Sequence, residues 1–262
     1  MHTIDYRAIV AAESARFADT LAGTALDAPV PSCPDWTAAD LAWHLAEVQH
    51  FWSAIVAGLL DDPDLVPVLA HPADAELVEL QRSRASALVG AFERRSPDDA
   101  CWSWDDDGHT VGWVLRRQTH EAIIHRVDAE LTAGGEVTDA APDVAADTVD
   151  ELLTVMVDGV PDWGTFTPDG HTLDLHATDV DRRWRLTFGR FTGTSPNSGT
   201  THDLDAAGLA AVDADPADGE VAGNAWSLAR WGWGRGDLGA LSVTGDPRLA
   251  DRLRTVIADG TQ

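Results

Sequence analysis

The chain has 262 residues, 44% of them hydrophobic and 11 of them tryptophan, enough for one large domain or two ordinary ones with a packed core. Its 44 acidic residues face 18 arginines and no lysine, and the formal charge of -26 repels nucleic-acid phosphates and anionic membranes, so neither is an expected partner. The same field repels a carboxylate substrate, which therefore requires a local arginine. In chain order, residues 4–22 place Ile4, Ile9, Val10, Phe17 and Leu21 at helical spacing and stop at Gly23. A loop with Pro29, Pro31 and Pro34 follows, then a helix opened by Thr37 and Asp40 as a capping pair and running to about Gly58. A proline-rich loop over 59–72 leads to a third helix over about 73–95, and the run TVGWVLRRQTHEAIIHRVDAELTAGG is a fourth, closing at Gly134–Gly135. Four such helices predict an antiparallel bundle over 1–136.

Beyond a linker at 134–143 the pattern changes. After a helix at about 143–158, HTLDLHATD and RRWRLTFGR alternate as two strands turning near Asp179–Asp181, and THDLDA and GLAAVDA read as further short strands. AGNAWSLARWGWGR reads as helix, LSVTGD as strand and PRLADRLRTVIADG as a closing helix with Pro247 in its first turn. Residues 142–262 are thus expected to form a small α+β domain. The start, MHTIDYRAIVAAESARF, has no apolar core of a signal peptide, and no apolar run approaches the ~20 residues of a membrane span, so a soluble cytoplasmic protein is expected. Two cysteines, Cys33 and Cys101, make neither a disulfide framework nor a cysteine-rich zinc module.

The stretch THEAIIHRVDAE at 119–130 resembles H-E-x-x-H with one residue too many. His120 and His125 then lie about 140° apart around a helix and cannot grip one ion, whereas Glu121 and His125 are only about 40° apart, one turn up. Val114, Gln118, Glu121, His125 and Asp128 share one stripe beside an apolar seam, and buried acid and imidazole groups there need a partner. His44, set among Leu41, Leu45, Val48, Phe51 and Ile55 on the apolar face of the second helix, is the candidate third ligand. A His–Glu–His set leaves a divalent ion an open position, the catalytic rather than the structural pattern. Zn²⁺, Ni²⁺, Mn²⁺ and Fe²⁺ all suit such a set. Taken singly, a histidine on an apolar face is ordinarily a core residue and E-x-x-x-H an ordinary surface pair; only together do they indicate a metal centre.

Other candidates read as structural. Cys33 and Cys101 are assigned to packing, His120 to a packing or supporting role on another face, His50 to the wrong side of its helix, Arg82 and Arg84 to the surface, and Asp105–Asp107 to a solvated loop.

At these residues the sequence resembles the mycothiol-dependent maleylpyruvate isomerase family, through CPDWT before the His44 helix and through HEAIIHRVDAE. The resemblance implies a DinB-like metal-binding four-helix bundle followed by a sterol-carrier-like α+β domain. It implies that His44, Glu121 and His125 hold a divalent metal, most often zinc, and that Arg235, in AWSLARWGWGRGDLGALSVTGDPRLADRL, is an active-site residue contacting the carboxylate or the thiol cofactor. The implied chemistry is cis–trans isomerisation: the thiolate of mycothiol adds to an activated alkene, the bond rotates, and the thiolate leaves. The alternatives are a mycothiol S-transferase conjugating electrophiles, a non-catalytic metal-stabilised binding module, and a hydrolase using bound water. The expected partners are a small-molecule electrophile and a low-molecular-weight thiol.

Overall fold

The computed structural model describes residues 4–105 and 108–260, and the chain divides into two compact units, Met1–Thr138 and Asp139–Gln262. The first is helical. Helix α1 (Tyr6–Ala22), α2 (Ala38–Gly58), α3 (Leu77–Glu93) and α4 (Val111–Thr132) form it, with α1 packed on α4 and α3, and α2 on α3 and α4. The capping box at the start of α2 is formed: the Asp40 carboxylate accepts from the Thr37 backbone N–H at 2.8 Å, and the Thr37 hydroxyl accepts from the Asp40 N–H at 3.3 Å. Gly134 ends the α4 segment at φ 67°, a left-handed conformation that glycine adopts without a Cβ clash.

The proline loop before α2 holds a small hairpin, β1 (Pro29–Val30) and β2 (Cys33–Thr37), that the sequence reading leaves as loop. Its Cys33 and Trp36 pack on a core of Phe17, Leu21, Leu41, Leu45 and Leu77. Burying each such side chain stabilises the fold by roughly 1.5–3 kcal/mol. A second core gathers Val10, Trp52, Ile55, Leu88, Phe92 and Val114, with Phe51, Trp102 and Trp113 against it.

Helix α4 differs from the other three in being buried on nearly every side although its sequence is not apolar. Its buried charged side chains are therefore paired inside the unit. The fully buried Arg126 guanidinium donates to Glu13 at 2.7 Å, Glu130 at 2.9 Å and the Thr138 carbonyl at 2.7 Å. Elsewhere in the unit the buried Gln49 amide donates to Ser14 at 2.8 Å and accepts from Gln81 at 3.1 Å, linking α1, α2 and α3.

The second unit opens with α5 (Pro142–Glu151), which continues into a π-helical turn over Leu152–Val157; the Asp158 N–H bonds to the Leu153 carbonyl at 2.8 Å. A five-stranded sheet follows in the order β5-β4-β3-β6-β7, formed by β3 (Gly164–Ala177), β4 (Arg182–Thr194), β5 (Thr201–Ala210), β6 (Gly219–Gly223) and β7 (Ser242–Gly245). Only the β3–β6 pair is parallel. Helices α6 (Ala225–Gly232) and α7 (Arg248–Gly260) complete the unit, which is the α+β arrangement expected.

Three details differ from the sequence reading. THDLDA and GLAAVDA do not make two strands: residues 201–210 run as one, and Val212 and Asp213 lie beyond it. Strand β3 starts at Gly164, well before HTLDLHATD, because a register shift between Pro168 and Thr172 carries it past Pro168, Asp169 and Gly170. Helix α6 stops at Gly232, and Gly234 at φ 76° turns the chain before Arg235, so WGWGR is not helical throughout. Among the described residues no helix is long and apolar enough to cross a membrane.

Candidate metal centre

Helix α4 places Glu121 and His125 one turn apart, and α2 brings His44 to the same point. Glu121 Oε1 lies 3.1 Å from His125 Nε2 and 3.2 Å from His44 Nε2, so one carboxylate oxygen stands between two imidazoles. One ligand atom from each of the three residues lies within 4.8 Å of the other two. Glu121 and His125 are nearly enclosed, while the His44 side chain is 32% exposed, which leaves the centre approachable on the α2 side.

Both α4 side chains are held from behind. His125 Nδ1 lies 2.9 Å from Asp128 Oδ2, three residues on. That bond fixes the ring and directs Nε2 to the centre, the arrangement in which a carboxylate orients a metal-binding histidine. Asp128 is itself fully buried and accepts a bond from the Ser32 hydroxyl at the turn of the β1–β2 hairpin. On the other side, Arg117 pairs with Glu121 Oε2, one turn back along α4, and leaves Oε1 for the histidines. The Trp36 ring covers both imidazoles, with centroids 4.8 Å from His44 and 6.3 Å from His125, the latter stacked.

These contacts set the charge states. Burial pushes the Glu121 carboxyl up, but Arg117 and His125 beside it overcome that and hold it well below the usual carboxylate range. Burial pulls the His125 imidazole down, yet Glu121 and Asp128 together raise it to about 9. A metal ion binding His125 would displace the Nε2 proton, and Arg117, Glu121 and Asp128 would then supply one net negative charge around it. Two imidazoles and a carboxylate converging on one point, two of them with carboxylate or arginine support, make a donor set that fits a divalent ion and leaves it a further position open.

Other sequence candidates lie elsewhere. His120 is fully buried and meets Tyr6 edge-on at 6.2 Å, on the α1 side of α4. His50 Nε2 bonds the Pro67 carbonyl at 2.7 Å. Arg82 pairs with Asp19 at 2.7 Å, and Arg84 donates to Ser83 at 3.0 Å. Cys33 is half-buried and Cys101 buried, and neither forms a disulfide. Of the Asp105–Asp107 run, Asp106 and Asp107 lie outside the described residues. Arg235 lies in the C-terminal unit, half-buried just past α6, its guanidinium donating to the Trp233 carbonyl at 2.6 Å.

Sequence reasoning does not single out Arg117, Ser32 or Trp36. Arg117 has a readable signal, since it precedes Glu121 by four residues on one helix. Ser32 meets Asp128 across 96 residues, and no local pattern announces that contact.

Residues 7–130 match the family described as the mycothiol maleylpyruvate isomerase N-terminal domain. Two solved structures, the mycothiol-dependent maleylpyruvate isomerase and a histidine-to-alanine mutant of it, each align with a TM-score of 0.60 over 92% of both chains at 14% identity, a likeness of fold. No curated protein matches the chain. Residues 7–130, which carry the His44–Glu121–His125 cluster, thus form a domain of the kind described as the mycothiol maleylpyruvate isomerase N-terminal domain.

Proposed function

We propose that the protein is a metal- and mycothiol-dependent enzyme that isomerises an activated cis alkene by reversible addition of a thiolate. The observation that carries this reading is the convergence of His44, Glu121 and His125 on one point, with arginine and carboxylate supports behind two of them. A divalent ion such as Zn²⁺ at these three residues lowers the pKa of a thiol and favours its anion. Charge balance supports the same reading. The single negative charge of Arg117, Glu121 and Asp128 becomes single and positive with a divalent ion, and one anionic ligand then neutralises it.

The chain's own residues do the positioning. Asp128 keeps a hydrogen on His125 Nδ1 and so keeps Nε2 basic. Arg117 keeps Glu121 ionised. Trp36 shields both rings on one side. The reaction then needs no nucleophilic side chain from the protein, since the sulfur of the thiol cosubstrate is the nucleophile. Its addition makes the C–C bond single, rotation follows, and loss of the same thiolate gives the trans isomer.

Arg235 is proposed to hold the substrate carboxylate and stabilise developing enolate charge. Supporting this, Arg254 stands near enough for the Arg235 charge, after burial, to lower its own pKa, so two cations share one small region of an otherwise acidic chain.

The test combines elemental analysis with product analysis. Purified protein should hold about one equivalent of divalent metal per chain, and Glu121→Ala should hold almost none. Metal-loaded protein with mycothiol and maleylpyruvate should yield the trans isomer with the thiol regenerated, and Arg235→Ala should lower kcat/KM about a hundredfold. A stable thioether would identify an S-transferase instead. Undiminished metal in Glu121→Ala removes that residue from the site, and turnover without any thiol overturns the thiol mechanism.

A further inference from the structure

The C-terminal unit contains a second concave site, built on different physics. By strand register Phe166 pairs with Phe191, Phe191 with Leu204, and Thr187 with Gly208, so these side chains lie on one face of β3, β4 and β5. Two of the rings rest on glycines. A Cβ at Gly164 would meet the Phe191 ring at 2.2 Å, and one at Gly189 would meet the Phe166 ring at 2.9 Å. Both rings therefore lie close against the sheet and make an aromatic floor.

The π-helical turn supplies one wall through Met156 and Val157, and Val256 of α7 supplies another. Together they enclose a groove of about 530 Å³, a volume typical of small-molecule sites. Phe166, Phe191, Met156, Val157 and Val256 are only half-buried, and Leu204 remains 39% exposed, so concave apolar surface is left in water. The wall itself is unusual, because π-helical turns are rare and recur at functional sites.

The polar lining has one sign. Asp158, Asp205 and Asp259 border the groove, and no arginine or histidine is among the described residues that line it. Asp205 is engaged by Arg190 and Arg252. Asp158 accepts from the Leu209 N–H at 3.0 Å through one oxygen. Among the described residues no cation bonds its other oxygen or Asp259.

We propose that this groove binds an amphiphile with a cationic end, of the alkyl- or arylammonium class. Its apolar part lies on Phe166 and Phe191, where ring faces also attract cations, and its ammonium sits by Asp158 and Asp259. The same two carboxylates exclude an anionic amphiphile of equal length.

Titration calorimetry on the full chain tests this, with dodecyltrimethylammonium, dodecyl sulfate and dodecyl maltoside as probes, each below its micelle concentration and with circular dichroism confirming the fold. The ammonium probe should bind saturably at one per chain, at least about tenfold tighter than either other probe. Ala206→Trp, which fills the groove, should abolish that binding, and the exposed Asp259→Asn should weaken it about three- to tenfold. Equal affinity for the three head groups overturns the cationic assignment. Unchanged ammonium binding in Ala206→Trp shows that the -26 charge of the chain collects the probe elsewhere, and overturns the site. Self-association that Ala206→Trp abolishes, without probe binding, identifies the groove as a contact between copies and also overturns it.

Discussion

Asp128 reaches His125 Nδ1 at 2.9 Å while His125 Nε2 faces Glu121 Oε1 at 3.1 Å, so a fully buried carboxylate controls how a neighbouring imidazole meets the centre. Asp128→Asn keeps the shape of that side chain and removes its charge. We expect metal affinity to fall about 10–100-fold with the folded structure retained, as competition against a chromogenic chelator would show. An unchanged affinity would mean that the bond serves packing alone.

Arg117 and Glu121 are a pair whose side chains are only 10% and 13% exposed. Arg117→Leu removes one of the cations beside the carboxylate, and in chelator-treated protein should cost about 1–3 kcal/mol in urea unfolding. Divalent metal, by giving Glu121 another cation, should recover a large part of that loss. A loss of the same size with and without metal would separate Arg117 from the centre.

The pH dependence of the second unit rests partly on Asp169. Burial raises its pKa, but the His171 N–H and the Arg252 guanidinium prevail and hold it at about 2, against an ordinary 3.8. A depressed acid contributes stability above its unfolded pKa and loses it as pH falls through the folded one. Asp169→Asn should therefore melt below the parent at pH 6, and the gap should close between about pH 4 and pH 2. Thermal melts across that window decide it, and a gap independent of pH would count against the linkage.

The two thiols should react very differently. Burial, with Asp99 nearby, pushes the Cys101 thiol up to about 11, whereas Cys33 is half-exposed in β2. Ellman's reagent at pH 8 should titrate one thiol in folded protein and two in urea, and Cys33→Ser should remove the faster. Rapid labelling of Cys101 would mean that the Trp102 region opens readily.

Much of the helical unit is readable because its signals are local. Thr37 and Asp40 announce α2, glycine announces the end of α4, and a four-residue spacing puts Glu121 and His125 on one face. His44 is readable from the apolar residues around it, although its distance to Glu121 is a product of packing between α2 and α4. What escapes is nonlocal or short. The β1–β2 hairpin has one strand of two residues and hides among three prolines, yet it delivers both Ser32 and Trp36 to the centre. Strand β3 escapes in its first half because Pro168, Asp169 and Gly170 read as a turn, whereas a register shift keeps the strand going. Strand β6 escapes because GEVAG is too brief and too rich in glycine to register.

The widened turn at Leu152–Val157 has a consequence for how this chain tolerates length changes. It stores one residue more than regular winding uses, and each helical residue advances about 100° around the axis. Deleting a single residue there would let the helix rewind and would swing Met156 and Val157 off the groove, with no change in the chemistry of either side chain. Counting, as much as composition, decides what this wall presents.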